Sequence, residues 1–131
     1  MKDEIFKISK NEIRARSLVD MASDRFKDID KESKIYKIVE EYYEVIKELI
    51  TALMYIDGLK TLSHKMLIVY LEETYKDFNK PEIMLVDELR VLRNNILYYG
   101  QKVEKEFLIN NEDALKDIID KLFKILKNKL K

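Results

Sequence analysis

Cysteine is absent from this chain, which excludes disulfides and thiolate metal sites. Histidine occurs once, at His64, so no second imidazole can complete a metal site, and the acids show no paired-carboxylate helix motif. Two glycines and one proline are too few turn-makers for a many-stranded sheet, and no phosphate-cradling glycine loop or nucleophile elbow is present. No apolar run is long enough and free enough of charge to be a signal peptide or a membrane span, so the expected location is the cytoplasm, away from membranes. Nor is there an excess of either charge: 25 basic residues oppose 25 acidic ones. Any attraction to nucleic acid therefore has to come from a local patch or from dimer geometry.

What the chain has instead is 47% hydrophobic and 38% charged residues over 131 positions, a balance suited to helices with one apolar face. One domain, residues 1–131, is the default at this length. The expected architecture is all-α, an antiparallel up-down bundle of four to five helices. A first helix starts at Asn11 with Ala15, Leu18, Ala22 and Phe26 at helical spacing. A second runs from about Ser33, where Asp30 or Ser33 can cap it, to Asp57, with a stripe broad enough to touch several neighbours. Gly58 suits the left-handed end of that helix, and Ser63 can cap a short third helix carrying Leu67, Leu71, Tyr75 and Phe78. Asn79, Pro81 and Glu82 form a restart signal. From there Leu85, Leu89, Leu92, Ile96, Tyr99, Val103 and Phe107 keep one stripe, which predicts a single long fourth helix crossing Gly100, with some group approaching that glycine closely. Asn110, Asn111, Glu112 and Asp113 then read as the start of a fifth helix carrying Leu115, Ile119, Leu122 and Leu126, and Lys124, Lys127, Lys129 and Lys131 suit its negative end.

Three segments together resemble a HEPN domain, a helical family named for its occurrence in higher eukaryotes and prokaryotes. They are YYEVIKEL at Tyr42–Leu49, DGLKTLSHK at Asp57–Lys65 and LRVLRNNILYYG at Leu89–Gly100. The resemblance implies a homodimer, and an RNA- or nucleotide-binding or toxin-antitoxin-type role. Many members are metal-independent ribonucleases, and many prokaryotic ones are toxins paired with a small nucleotidyltransferase antitoxin. The family signature is an arginine, four to six intervening residues, then a histidine. Arg93 matches the arginine, but Tyr98, Tyr99 and Gly100 stand where the histidine is due. An imidazole with an unperturbed pKa of about 6.5 takes a proton near neutral pH far better than a phenol at about 10. The resemblance therefore implies binding with weakened or absent ribonuclease activity, without cofactor or metal. Its alternatives are an active endoribonuclease using Arg93 and Tyr98 as the catalytic pair, and a non-catalytic helical adaptor.

The candidate binding residues are Arg90, Arg93, Asn94 and Asn95, in which guanidinium and amide groups can hold a phosphate. Arg90 and Arg93 lie about 60° apart around a helix of ~3.6 residues per turn, close enough to share a basic edge. The competing reading is that each arginine pairs with a carboxylate across a bundle or dimer interface. Tyr98 sits about 140° from Arg93, so the two meet only through side-chain reach or a second subunit. Tyr99 falls on the apolar stripe and is expected in the core. His64 follows a cap serine and is expected to tie down its loop rather than to catalyse.

Overall fold

The structure, a computed structural model, describes residues 4–131. Five helices carry it: α1 (Glu12–Lys27), α2 (Ile35–Asp57), α3 (His64–Thr74), α4 (Lys80–Tyr99) and α5 (Lys105–Lys129). Two three-residue strands, β1 (Ile5–Lys7) and β2 (Leu59–Thr61), pair antiparallel with Phe6 opposite Lys60. Composition left no room for a large sheet and gave no sign of this clasp, which ties the N-terminal segment to the α2–α3 connection.

α2 is the central element because its apolar stripe is too wide for one neighbour. Val39, Val45, Ile46, Leu49, Ala52 and Leu53 are completely buried, and α1, α3, α4 and α5 all pack around it. Fully burying one such aliphatic side chain contributes roughly 1.5–3 kcal/mol. α1 lies against α2 through Ala15 and Ala22, seven residues apart and fully buried, small side chains that let the two axes approach closely. Asn11 caps α1 by accepting from the Arg14 amide at 2.9 Å, while its own amide donates to the Tyr55 carbonyl at 3.0 Å. At the other end of α1, Arg25 forks onto Glu48 with two bonds of 3.2 Å and reaches Glu41 at 3.3 Å. Early α1 thus meets late α2, and late α1 meets middle α2, so the pair is antiparallel.

The up-and-down alternation is broken at α3. His64 at its start bonds Tyr43 in the middle of α2, whereas Tyr70 and Tyr75 at its end both donate to Asp57, at 2.5 and 2.8 Å. α3 therefore runs with α2 rather than against it. α4 begins at Asn79 with the full capping box the sequence promised, Asn79 and Glu82 each accepting the other's amide at 2.9 Å, and with Pro81 in the first turn.

Five further expectations are corrected. The fourth helix does not cross Gly100: α4 ends at Tyr99, and Gly100 takes the left-handed conformation (φ 62°, ψ 30°) as its C-cap. A β-carbon added at Gly100 would meet nothing within 4 Å, so this glycine serves backbone conformation rather than a close approach. The close approach is at Gly58 (φ 73°), where an added β-carbon would lie 3.0 Å from the Ile8 carbonyl oxygen. Tyr99, expected in the core, is 82% exposed, because the helix that would have carried its stripe onward stops there. α5 starts at Lys105 rather than at the Asn110–Asp113 signal. Val103 falls in the connection, Phe107 belongs to α5, and Asn111 spends its side chain on the Phe107 carbonyl one turn back at 2.8 Å, the interior alternative to capping. Finally, Asp30 and Ser33 do not cap α2. Its N-cap is Lys34 without a side-chain bond, and Asp30 instead accepts from the Glu32 amide in the preceding turn.

Candidate functional site

The candidate site grows from Arg93 on the inner flank of α4. Its guanidinium carbon sits 5.5 Å from the centre of the Tyr43 ring on α2, a cation–π geometry, and its Nη2 donates to Glu44 Oε1 at 3.3 Å. Its Nη1 approaches Asn94 Oδ1 at 3.4 Å. Glu44 is shared, because its other oxygen takes the Lys47 ammonium at 2.7 Å. Beneath these groups the Tyr43 hydroxyl lies 3.0 Å from His64 Nδ1, with the two rings 5.8 Å apart. Lys47 neighbours both Tyr43 and Glu44 on α2 because positions three and four apart on a helix are neighbours. His64 arrives from the first residue of α3, fixed by the Ser63 hydroxyl that accepts from the Met66 amide at 3.3 Å.

The electrostatics follow from burial and from the cations. Burial pushes the Tyr43 phenol up to about 12, against the pull of Arg93 and Arg90, so it remains a neutral hydroxyl. Burial is also the largest influence on His64, lowering its proton affinity below the ordinary imidazole value; Lys47, Arg93 and Arg90 depress it further, and Glu44 opposes them. The imidazole is therefore neutral at pH 7. A phenol is the better donor of this pair and an imidazole nitrogen the better acceptor, so Tyr43 donates to Nδ1 and the ring proton sits on Nε2.

The other sequence candidates are distributed differently. Arg90 is half-buried and paired with Asp87 one turn back at 2.9 Å. Asn94 belongs to the Arg93 cluster, whereas Asn95 lies on the outer side of α4, lining a groove with Val91, Lys102 and Glu104. Tyr98 is 70% exposed and joins Met84 and Val91 at seven-residue intervals along the solvent face. Within the chain Arg93 and Tyr98 do not converge. His64 does tie its loop to α2, but it also stands beside the cations rather than apart from them.

The sequence did not signal that Tyr43, Glu44, Lys47 and His64 would gather around Arg93. The spacing of Tyr43 and Lys47 was legible; their meeting with α3 and α4 was not. Chemically the cluster offers an arginine over an aromatic ring, a lysine, a neutral imidazole and an amide, with one carboxylate already engaged. That set binds an oxyanion more naturally than it activates a nucleophile. Among the described residues no group of three or more His, Cys, Asp or Glu could hold a metal ion, and no helix is long and apolar enough to cross a membrane. Comparison of the chain with protein-family models, with curated proteins and with solved structures finds no significant match.

Proposed function

We propose that this chain is a HEPN-like RNA- or nucleotide-binding protein that works as a homodimer and has weakened or absent ribonuclease activity. One observation carries the reading. The three segments on which the resemblance rests meet at one place, Arg93 from the third lying on Tyr43 and Glu44 of the first, and Tyr43 bonding His64 of the second. An arginine over a tyrosine ring, beside a second arginine and a lysine, suits the phosphate of a nucleotide unit. Cleavage finds less support, since Tyr98 faces solvent away from Arg93 and one nitrogen of the half-buried imidazole is already engaged by Tyr43. The homodimer is supported by the exposed stripe Met84, Val91 and Tyr98 on α4. In an antiparallel pairing of two copies centred on Val91, Met84 of each copy meets Tyr98 of the other, since the two lie equally far from Val91. A small nucleotidyltransferase encoded alongside this chain is the protein partner to seek.

The test is binding of a labelled single-stranded RNA by fluorescence anisotropy at several salt concentrations, with Arg93→Ala beside the parent. Removing one phosphate contact should weaken binding and flatten the slope of log K against log salt by about 0.7 for a single strand. Incubation with total RNA in chelator should leave the RNA intact. Absence of RNA binding at low salt, or an affinity indifferent to Arg93→Ala, refutes the reading. The second reading, a non-catalytic adaptor, has its own observation: Arg93 is only 18% exposed and is already paired with Glu44 across the α2–α4 contact. It predicts that Arg93→Ala lowers stability while any RNA affinity stays unmoved.

A further inference from the structure

The charges of this chain balance overall, yet they are not evenly spread over its grooves. Four grooves on the surface each carry at least one carboxylate: Asp20 between α1 and the end of α5; Glu72, Asp87 and Glu88 between α3 and α4; Asp28 and Glu41 where the α1–α2 connection meets the first turns of α2; and Glu88 and Glu104 beside the α4–α5 connection. A fifth, of about 310 Å³, opens between α2, β2 and the start of α3. Among the described residues it is lined by Lys47, Lys60 and His64 together with hydroxyls and apolar side chains, and by no carboxylate.

The donors in that groove can be followed bond by bond. The Thr51 hydroxyl is spent on the Lys47 carbonyl at 2.8 Å, and that of Thr61 on the Glu4 carbonyl at 2.7 Å. The Ser63 oxygen accepts from the Met66 amide, which leaves its proton available. Because Tyr43 donates to Nδ1, the His64 ring offers Nε2–H, and it keeps that donor in either charge state. Lys60 stands at the middle of β2, exposed and paired with no described carboxylate, whereas Lys47 is paired with Glu44. The half-buried Tyr55, whose ring carries the Arg14 guanidinium 5.1 Å from its centre, and the exposed Leu62 add aromatic and apolar surface to the same groove.

We propose that this groove is a binding site for the phosphate of a nucleotide unit, with Lys60, Ser63 and His64 as its donors and with Tyr55 and Leu62 flanking the base. The inference rests on the RNA- or nucleotide-binding reading and gives it a second phosphate position. His64 connects the two, since its Nδ1 side faces the Tyr43–Arg93 cluster and its ring lines the groove. An RNA strand crossing this surface would lay one phosphate near Arg93 and another between Lys60 and Ser63. A bound phosphate favours imidazolium, so ligand binding and protonation of His64 reinforce each other. The groups facing that imidazole are Tyr43, Glu44 and Lys47 from α2 and Arg90 and Arg93 from α4.

With one histidine in the chain, its ring proton signal can be followed by NMR without assignment. Adenosine 5′-monophosphate should raise the titration midpoint of His64, Lys60→Gln should weaken nucleotide binding about tenfold, and Ser63→Ala should weaken it several-fold. Inorganic phosphate should act in the same direction at higher concentration; if it matches the nucleotide in affinity, the base contributes nothing and the nucleotide assignment fails. If the midpoint stays fixed and Lys60→Gln changes nothing while RNA still binds through Arg93, this groove is not a phosphate site and the RNA-binding reading survives. If the nucleotide shifts His64 and Lys60→Gln abolishes the shift, yet single-stranded RNA does not bind, the groove stands and the RNA reading falls.

Discussion

Glu44 holds Arg93 and Lys47 at once, and this makes Glu44→Gln the substitution that separates a binding site from a structural tie. The change keeps the shape of the side chain and removes its charge. Two consequences should run in opposite directions. Folding loses a pair in which both partners are mostly buried, Arg93 being 18% and Glu44 21% exposed. That places the pair between surface bridges, worth about 0–1 kcal/mol, and fully buried ones, whose breaking costs about 3–5 kcal/mol. A loss of about 1.5 kcal/mol is expected, or roughly 5 °C in the melting temperature of a domain this size. RNA binding should gain, because a carboxylate about 5 Å from a bound phosphate repels it by about 0.8 kcal/mol even at the dielectric of water, close to fourfold in affinity. Thermal denaturation and anisotropy on the same preparations measure both quantities. Lower stability with unchanged affinity would refute the binding role of Arg93 and favour the adaptor; unchanged stability would refute the geometry of the pair.

Three further outcomes follow from particular contacts. Arg25→Ala strands Glu48, which is 6% exposed with its two oxygens on Arg25; chemical denaturation should show a loss of about 2–3 kcal/mol, discounted from the fully buried case because Arg25 is itself about a third exposed, and a loss under 0.5 kcal/mol would contradict the fork. Gly100→Ala should destabilise by about 1–2 kcal/mol because φ is positive there, whereas a continuous helix through this position would be stabilised by alanine, so the sign alone decides. Burial first, and then Lys47 and Arg93, hold the folded His64 below its unfolded value of about 6.5. The unfolded chain therefore binds the proton more readily, and stability should decline as pH falls from about 6.5 through the lowered folded value and level off below it. Urea titrations between pH 7.5 and 5 check this, and a decline that persists unaltered in His64→Gln would rule His64 out as its source.

How much of the fold could be read in the residues depends on how local each signal was. Asn79 and Ser63 act as caps where they were expected, since a cap is decided within four residues. Gly58 ends α2 as expected, for the same reason. The apolar period failed at Gly100, where Tyr99, Val103 and Phe107 preserve a helical phase across a chain that leaves the helix. Periodicity reports which positions suit one face; it does not report whether the backbone between them stays helical. The Asn110–Asp113 cluster misled in the opposite way. Its cap-forming side chains found partners inside a helix that had already begun: Asn111 on the Phe107 carbonyl, Glu112 on the Tyr42 hydroxyl at 2.6 Å and on Lys31 at 2.9 Å.

The sequence by itself determined a helical chain with a broad central stripe and the caps at Ser63 and Asn79, because periodicity and capping are written within a few turns of chain. Only the tertiary structure decided that α3 runs with α2, that Tyr99 faces water, and that the single histidine bonds the tyrosine on which Arg93 rests. Those outcomes depend on which faces of separate helices pack together, and burial energy has no direction along the sequence from which the pairing could be read.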